Sequence, residues 1–279
     1  MDDINEKLME AAKGGSAAEL KALLRHPDCD ALSKDSGGWT ALMWAAYDGH
    51  EACVRLLLPL SDALAKTNNG QTALMWAACY RHEVCVRLLL PVSDASSKNN
   101  NGHTALMLAA CYGHEVCVRL LLPVSDALAK TINGQTALMW AACYGHEGCV
   151  RLLIPVSDAL ARGKDGWAAL MWAAASGVEA CVALLLPVSD TLIKDNYGMT
   201  PLMHAACEGS TACVRLLLPK SDPLAKDEYG RTASRCAKDN GYESLSQFID
   251  AYALSQTEQA SIGGAARSSP PRKRAAPRV

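Results

Sequence analysis

Three triplets in this chain carry the residue types of a metal site: Cys79–His82–Cys85, Cys111–His114–Cys117 and Cys143–His146–Cys149. Thiolate and imidazole are good zinc ligands. Each triplet offers only three donors, and the stretches 166–197 and 198–229 lack it. Its second cysteine falls where a helix should face the core, and a reduced cysteine there acts as a small hydrophobe. Its histidine falls in a turn, where a hydrogen-bonding role is expected. No metal site and no cofactor are therefore expected. Catalysis has as little support: G-x-S-x-G, H-E-x-x-H and a phosphate-binding glycine loop are all missing. A non-enzymatic protein is expected, with a metal-binding or redox-sensing one as the alternative.

The triplets recur because the whole chain recurs. GQTALMWAACY stands at residues 70–80 and again at 134–144. Glycine returns every 32 residues from Gly38 to Gly230, as do Cys53 to Cys213, Pro59 to Pro219 and Asp62 to Asp222. Most of the twelve cysteines are copies of one repeat position, so their number carries no disulfide signal.

Residues 134–165 show what one unit should be. Gly134 suits a tight turn, and Thr136 suits the N-cap of a helix over 137–144. Gly145 and His146 break that helix. Glu147 opens a second, carrying Val150, Leu152, Leu153 and Ile154 as its apolar face, and Pro155 stops it. Arginines on the second helix (Arg55, Arg87, Arg119, Arg151, Arg215) mostly follow a glutamate by four positions, which predicts a solvated, paired face. Two such short helices cannot bury their apolar faces alone, so neighbouring units must stack.

Composition agrees. Half of the 279 residues are hydrophobic, yet Phe248 is the one phenylalanine, and Ala, Leu, Val, Met and Cys suit close-packed helices. The net charge of −2 disfavours nucleic acid as partner. No apolar run reaches the roughly 20 residues of a bilayer span. The start MDDINEKLMEAAK lacks a secretory pattern, which predicts a cytoplasmic, reducing setting without a classical secretion signal.

The unit resembles the ankyrin repeat, with "GMTPLMHAACEGSTACVRLLL" at 198–218 the nearest match and "GH" turns at Gly49–His50, Gly113–His114 and Gly145–His146. It departs from the family in its period of 32 rather than 33, in TALM for TPLH, in Arg81 for a turn glycine and in Ala168 for the capping threonine. The missing cap predicts a local loss of about 0.5–2 kcal/mol in 166–197. The resemblance implies an all-α solenoid: an N-terminal capping unit (1–37), six repeats (38–69, 70–101, 102–133, 134–165, 166–197, 198–229) and a C-terminal capping unit (230–253); beyond it the composition, rich in Ser, Ala, Pro and Arg without apolar periodicity, predicts a disordered basic tail (254–279). Polar residues such as Glu10, Ser234, Arg235 and Lys238 replace apolar ones in the end units, as exposed caps require.

It also implies the function class: a monomeric scaffold or adaptor that binds another protein, not a small molecule, on its concave face. Residues that vary between copies and align with that face are Trp39, Gln71, His103, Gln135, Trp167 and Met199 after the turn glycines, and Tyr80, Tyr112 and Tyr144 at the end of the first helix. Tyrosine is a common interface anchor. Trp44, Trp76, Trp140 and Trp172, before the Ala-Ala pair, read as framework with one edge toward the groove. In the tail, Arg272, Lys273 and Arg274 resemble a nuclear import signal.

Overall fold

The computed structural model describes residues 2–267, and side chains over 4–258. Among them are sixteen α-helices and no strand. They come in pairs: α1 (Asp2–Lys13) with α2 (Ala17–Leu23), then α3 (Ala41–Tyr47) with α4 (Glu51–Leu57), α5 (Ala73–Cys79) with α6 (Glu83–Leu89), and α7 (Ala105–Cys111) with α8 (Glu115–Leu121). They continue with α9 (Ala137–Cys143) and α10 (Glu147–Leu153), α11 (Ala169–Ala175) and α12 (Glu179–Leu185), α13 (Pro201–Cys207) and α14 (Thr211–Leu217), and α15 (Ala233–Asp239) and α16 (Glu243–Arg267). First helices pack on first helices and second on second, in two parallel layers. The first layer is the more closely packed of the two.

Each inner helix has seven residues, too short to be stable in water alone. Burial supplies the rest. Leu74, Met75, Ala77 and Ala78 of α5 are buried, as are Cys85, Val86 and Leu89 of α6, and the same positions are buried in the other repeats. The paired alanines bring the backbones together. The helix starts follow the sequence: the side chains of Thr40, Thr72, Thr104, Thr136 and Thr200 each accept the backbone N–H three residues on. Ala168 takes the same extended backbone without that bond.

Three ladders tie each repeat to the next. The His50, His82, His114 and His146 Nε2–H groups donate to the carbonyls of Lys13, Tyr47, Cys79 and Cys111, at 2.8–2.9 Å. Those carbonyls lie at or beside the end of the preceding first helix, where helix carbonyls lack a partner of their own. At the tips, Asn68, Asn100, Ile132, Lys164, Asn196 and Glu228 donate their backbone N–H to carbonyls of the preceding tip. Along the linkers, Lys34, Lys66, Lys98 and Lys194 each give their ammonium to the backbone carbonyl 32 residues ahead.

The expected helix over 137–144 ends one residue earlier, and Pro155 sits in a 3₁₀ turn over Ile154–Val156 that prolongs the second helix before the chain leaves it. Arg81 adopts the left-handed backbone (φ 66°) that glycine takes at the equivalent turns, the single non-glycine to do so among the described residues. Ser234 is buried rather than exposed, its hydroxyl 2.9 Å from that of Ser246. The tail expected from residue 254 begins as helix: α16 runs on through 254–267, a stretch rich in good helix formers (Leu, Ala, Gln, Glu), and Leu254 is exposed. Residues 268–279, with Arg272, Lys273 and Arg274, lie outside the described residues.

The repeat at 166–197 lacks two of these devices. Ala168 cannot cap, and Val178 stands where His146 stands one repeat earlier. The Ser176 hydroxyl, 3.2 Å from the Ala142 carbonyl, is a partial substitute across that junction. Ala168→Thr should raise unfolding free energy by about 0.5–2 kcal/mol. Denaturant titration measures it, and slowed hydrogen exchange at the Met171 amide locates it.

Candidate functional site

The cysteine–histidine triplets do not converge. In each, the imidazole Nε2 is spent on the preceding repeat, and the second cysteine (Cys85, Cys117, Cys149) is buried in the core. Burial pushes the Cys85 and Cys117 thiols up to about 11 and that of Cys149 to about 12. Such thiols stay protonated at neutral pH and are poor nucleophiles. Among the described residues no group of three or more His, Cys, Asp or Glu side chains is placed to hold a metal. Cys207 is the exception in direction: a hydrogen bond from the Cys236 thiol and the nearby Arg231 lower it.

The tip residues and first helices form one face. Two short distances organise the first of these tips: the backbone N–H groups of Gly37 and Trp39 donate to Asp35 Oδ1 at 2.8 and 2.9 Å. The second carboxylate oxygen of Asp35 accepts from Trp44 Nε1 at 3.3 Å. The same arrangement returns at 198–229, where His204 Nε2 donates to Asp195 Oδ2 at 2.9 Å. Where the tip residue is Thr67, Thr131 or Gly163, the indole N–H of Trp76, Trp140 or Trp172 is buried without a partner.

Aromatic rings collect on this face. Trp39 lies between Trp44 and Trp76, stacked at 4.1 and 4.6 Å between ring centroids. Tyr47 stands edge-on to all three, and the Tyr80 ring is 4.4 Å from it. Their contact, with the Tyr47 hydroxyl hydrogen-bonded to that of Tyr80, raises the Tyr80 phenol above its ordinary range. Further along, His103 packs 5.4 Å from Trp140, and Tyr144 stacks on Trp140 at 6.0 Å. Gln135 borders a small gap shared with Trp140, Cys143 and Trp172. Trp167 covers Trp172 at 4.5 Å and His204 at 4.1 Å. Met199 donates its backbone N–H to Asp195. Gln71 is half-buried, with its side-chain oxygen unpartnered.

Tyr80, Tyr112 and Tyr144 are 44, 54 and 56 % exposed. They form a register of separate rings rather than a mutual stack: Tyr112 lies on His114 and Tyr144 on His146, at 6.2 and 6.4 Å. Sequence reasoning passed over Tyr47, because it occupies the column that holds Cys79, Cys111 and Cys143. The column of Trp44, expected as framework with one edge toward the groove, is half-buried against the core, and its open side meets tip residues: Trp39 stacks on Trp44 and Trp167 lies tilted on Trp172.

The second-helix face is more ordinary. Of the glutamate–arginine pairs expected there, Glu51–Arg55 and Glu147–Arg151 close at 2.7 and 2.6 Å. Glu115 instead leans over Gly148, whose missing side chain leaves a cleft of about 540 Å³ lined by charges of both signs, Glu115, Arg119, Glu147 and Arg151 among them.

Burial lowers the pKa of His204, and this outweighs the opposing pull of Asp195. A histidine depressed in the folded state contributes stability above its unfolded pKa of about 6.5, and that stability is lost as pH falls toward and through the folded value. His204→Trp copies the Trp44–Asp35 pair and removes the titration. Unfolding free energy of this variant should fall less between pH 7 and pH 5 than that of the wild type, measured by denaturant titration at each pH.

A family model described as ankyrin repeats, in three copies, matches residues 8–97, 85–162, 124–195 and 156–227. These matches run from the first helix pair to the seventh and take in every tip and first helix from α3 to α13. The chain belongs to the ankyrin-repeat family.

Proposed function

We propose that the protein is a non-enzymatic scaffold or adaptor that holds a protein partner on the concave face formed by its tips and first helices. Ankyrin repeats are in general modules for protein–protein interaction. One observation supports this face over the others: three half-exposed tyrosines stand in register on it, beside the stacked ring cluster of Trp39, Trp44, Tyr47 and Trp76. Exposed rings on a rigid frame bring large contact area at little entropic cost. Gln71, His103, Gln135, Trp167 and Met199 line the same face and would set its selectivity. A protein partner suits this face better than a small molecule, because its gap at Gln135 and Trp172 has room for barely one water-sized group.

No helix of the described residues is long and apolar enough to cross a membrane. A monomer working in the cytoplasm is the setting that suits this reading.

The test is capture of partners from the source lysate by the wild type and by the variant Tyr80→Ala/Tyr112→Ala/Tyr144→Ala. Each tyrosine is exposed, so each replacement should change stability by no more than about 0.5 kcal/mol, and circular dichroism checks that both proteins are folded. Interface tyrosines that act as anchors cost about 1–2 kcal/mol or more each when truncated. The triple variant should therefore bind a true partner at least about 100-fold more weakly. An identical partner set for both proteins would sink the assignment of this face.

A further inference from the structure

Buried side-chain polar atoms without a hydrogen-bond partner fall into two sets among the described residues. One is the linker serine found at every 32nd position from Ser61 to Ser221, together with Ser33 in the first linker. It keeps the period and belongs to the frame. The other five do not recur in every repeat: Asp48 Oδ2, Gln71 Oε1, and the indole nitrogens of Trp76, Trp140 and Trp172. All five belong to the tips and first helices. A buried polar group left unpaired is costly, so their collection on one face needs a reason that the frame does not supply.

Their chemistry is specific. The indoles are donors and need acceptors. Gln71 Oε1 needs a donor. Asp48 carries a carboxylate at the end of α3, at the position that Tyr80, Tyr112 and Tyr144 take in the following repeats. Its complement is a cationic donor. Next to it in the chain is Tyr47, which ties the ring cluster of Trp44, Trp39, Trp76 and Tyr80 together. Aromatic faces attract cations, and this cluster does so within the chain: Lys13 Nζ lies 4.7 Å over the Trp44 ring. Charge points the same way. Five of the 27 Lys and Arg but one of the 29 Asp and Glu lie beyond residue 253, so the repeats themselves are acidic overall.

We propose that the face between Asp48 and Trp76 is a subsite for an arginine or lysine side chain, presented on an extended segment of the protein partner. The rings take the apolar stem and the cation, and the Asp48 carboxylate takes the N–H donors. Arginine is the better fit, being planar enough to stack and forked enough to pair with a carboxylate. This rests on the reading that the partner lies on the concave face, and it names what that partner must carry.

The test uses the full chain and fluorescein-labelled nonapeptide pools, random at every position except a fixed central residue. That residue is arginine, lysine, norleucine or glutamate, and binding is read by fluorescence anisotropy. The arginine and lysine pools should bind at least about tenfold more tightly than the norleucine pool, and the glutamate pool more weakly still. Asp48→Asn keeps the shape and removes the charge. It should bring the arginine pool to within about twofold of norleucine while leaving norleucine binding unchanged. Equal binding of arginine and norleucine by the wild type overturns the subsite, as does an arginine preference that survives Asp48→Asn. Binding of no pool overturns it as well. In each of those cases loss of a lysate partner in the tyrosine variant would still uphold the broader reading, so the two fail separately.

Discussion

A seven-residue helix has a partner for few of its own backbone groups and can bury no apolar face by itself. Everything in this molecule follows from the need to borrow both from a neighbour. The carbonyls of Tyr47, Cys79 and Cys111, at the ends of three first helices, are taken by histidines one repeat later. The tips take their amide partners from the tip before, and the linkers take an ammonium from the repeat before. Stability is thereby a sum over junctions more than over units, as nearest-neighbour architectures require. This also explains the cysteines. Cys53, Cys85, Cys117, Cys149, Cys181 and Cys213 are repeated because a small apolar side chain is repeated there, fully buried between layers.

The same constraint leaves one face free to vary. Positions that bond to a neighbouring repeat are held by that bond, whereas the residue after each turn glycine bonds through its backbone and can carry any side chain. Trp39, Gln71, His103, Gln135, Trp167 and Met199 differ for this reason, while the amides of all but Trp167 donate to a side chain four residues back. A change at that acceptor has a second effect nine residues on. Asp35 and Asp195 have an oxygen to spare for Trp44 and His204, but Thr67, Thr131 and Gly163 do not. How each tip is closed thus decides which of these side chains find a partner within the chain.

Much of this was legible in the residues. The period, the capping threonines, the turn glycines and the histidine in the turn are all local signals, and local signals repeat. What escaped was set by contacts between repeats or between columns. Tyr47 sits one column away from the other tyrosines in sequence, yet its ring meets Tyr80 because the two columns adjoin across a junction. Ser234 looked like an exposed cap residue, and its burial depends on Ser246 twelve positions on, in a helix whose packing no window of the first could reveal. The extent of α16 escaped for the opposite reason: composition marked a change near residue 254, but helix propensity does not end where amphipathic patterning does.

Frame and face are joined through the turn histidines. Tyr112 and Tyr144 rest on His114 and His146, the imidazoles that fasten their repeats to the preceding ones. Tyr80 rests instead on Tyr47, whose carbonyl is the one that His82 takes. Each exposed ring is thus backed by a residue already fixed by a junction, which holds its rotamer before any partner arrives and lowers the entropy lost on binding. The histidines stop at His146, and so do the tyrosines: Val178 and Ser210 follow in one column, Ser176 and Glu208 in the other. Duplication alone would copy either column independently. Both end at the same junction, where the capping threonine is also replaced by Ala168, and beyond it the hydroxyls of Ser176 and Ser210 make the cross-repeat bonds in place of imidazoles.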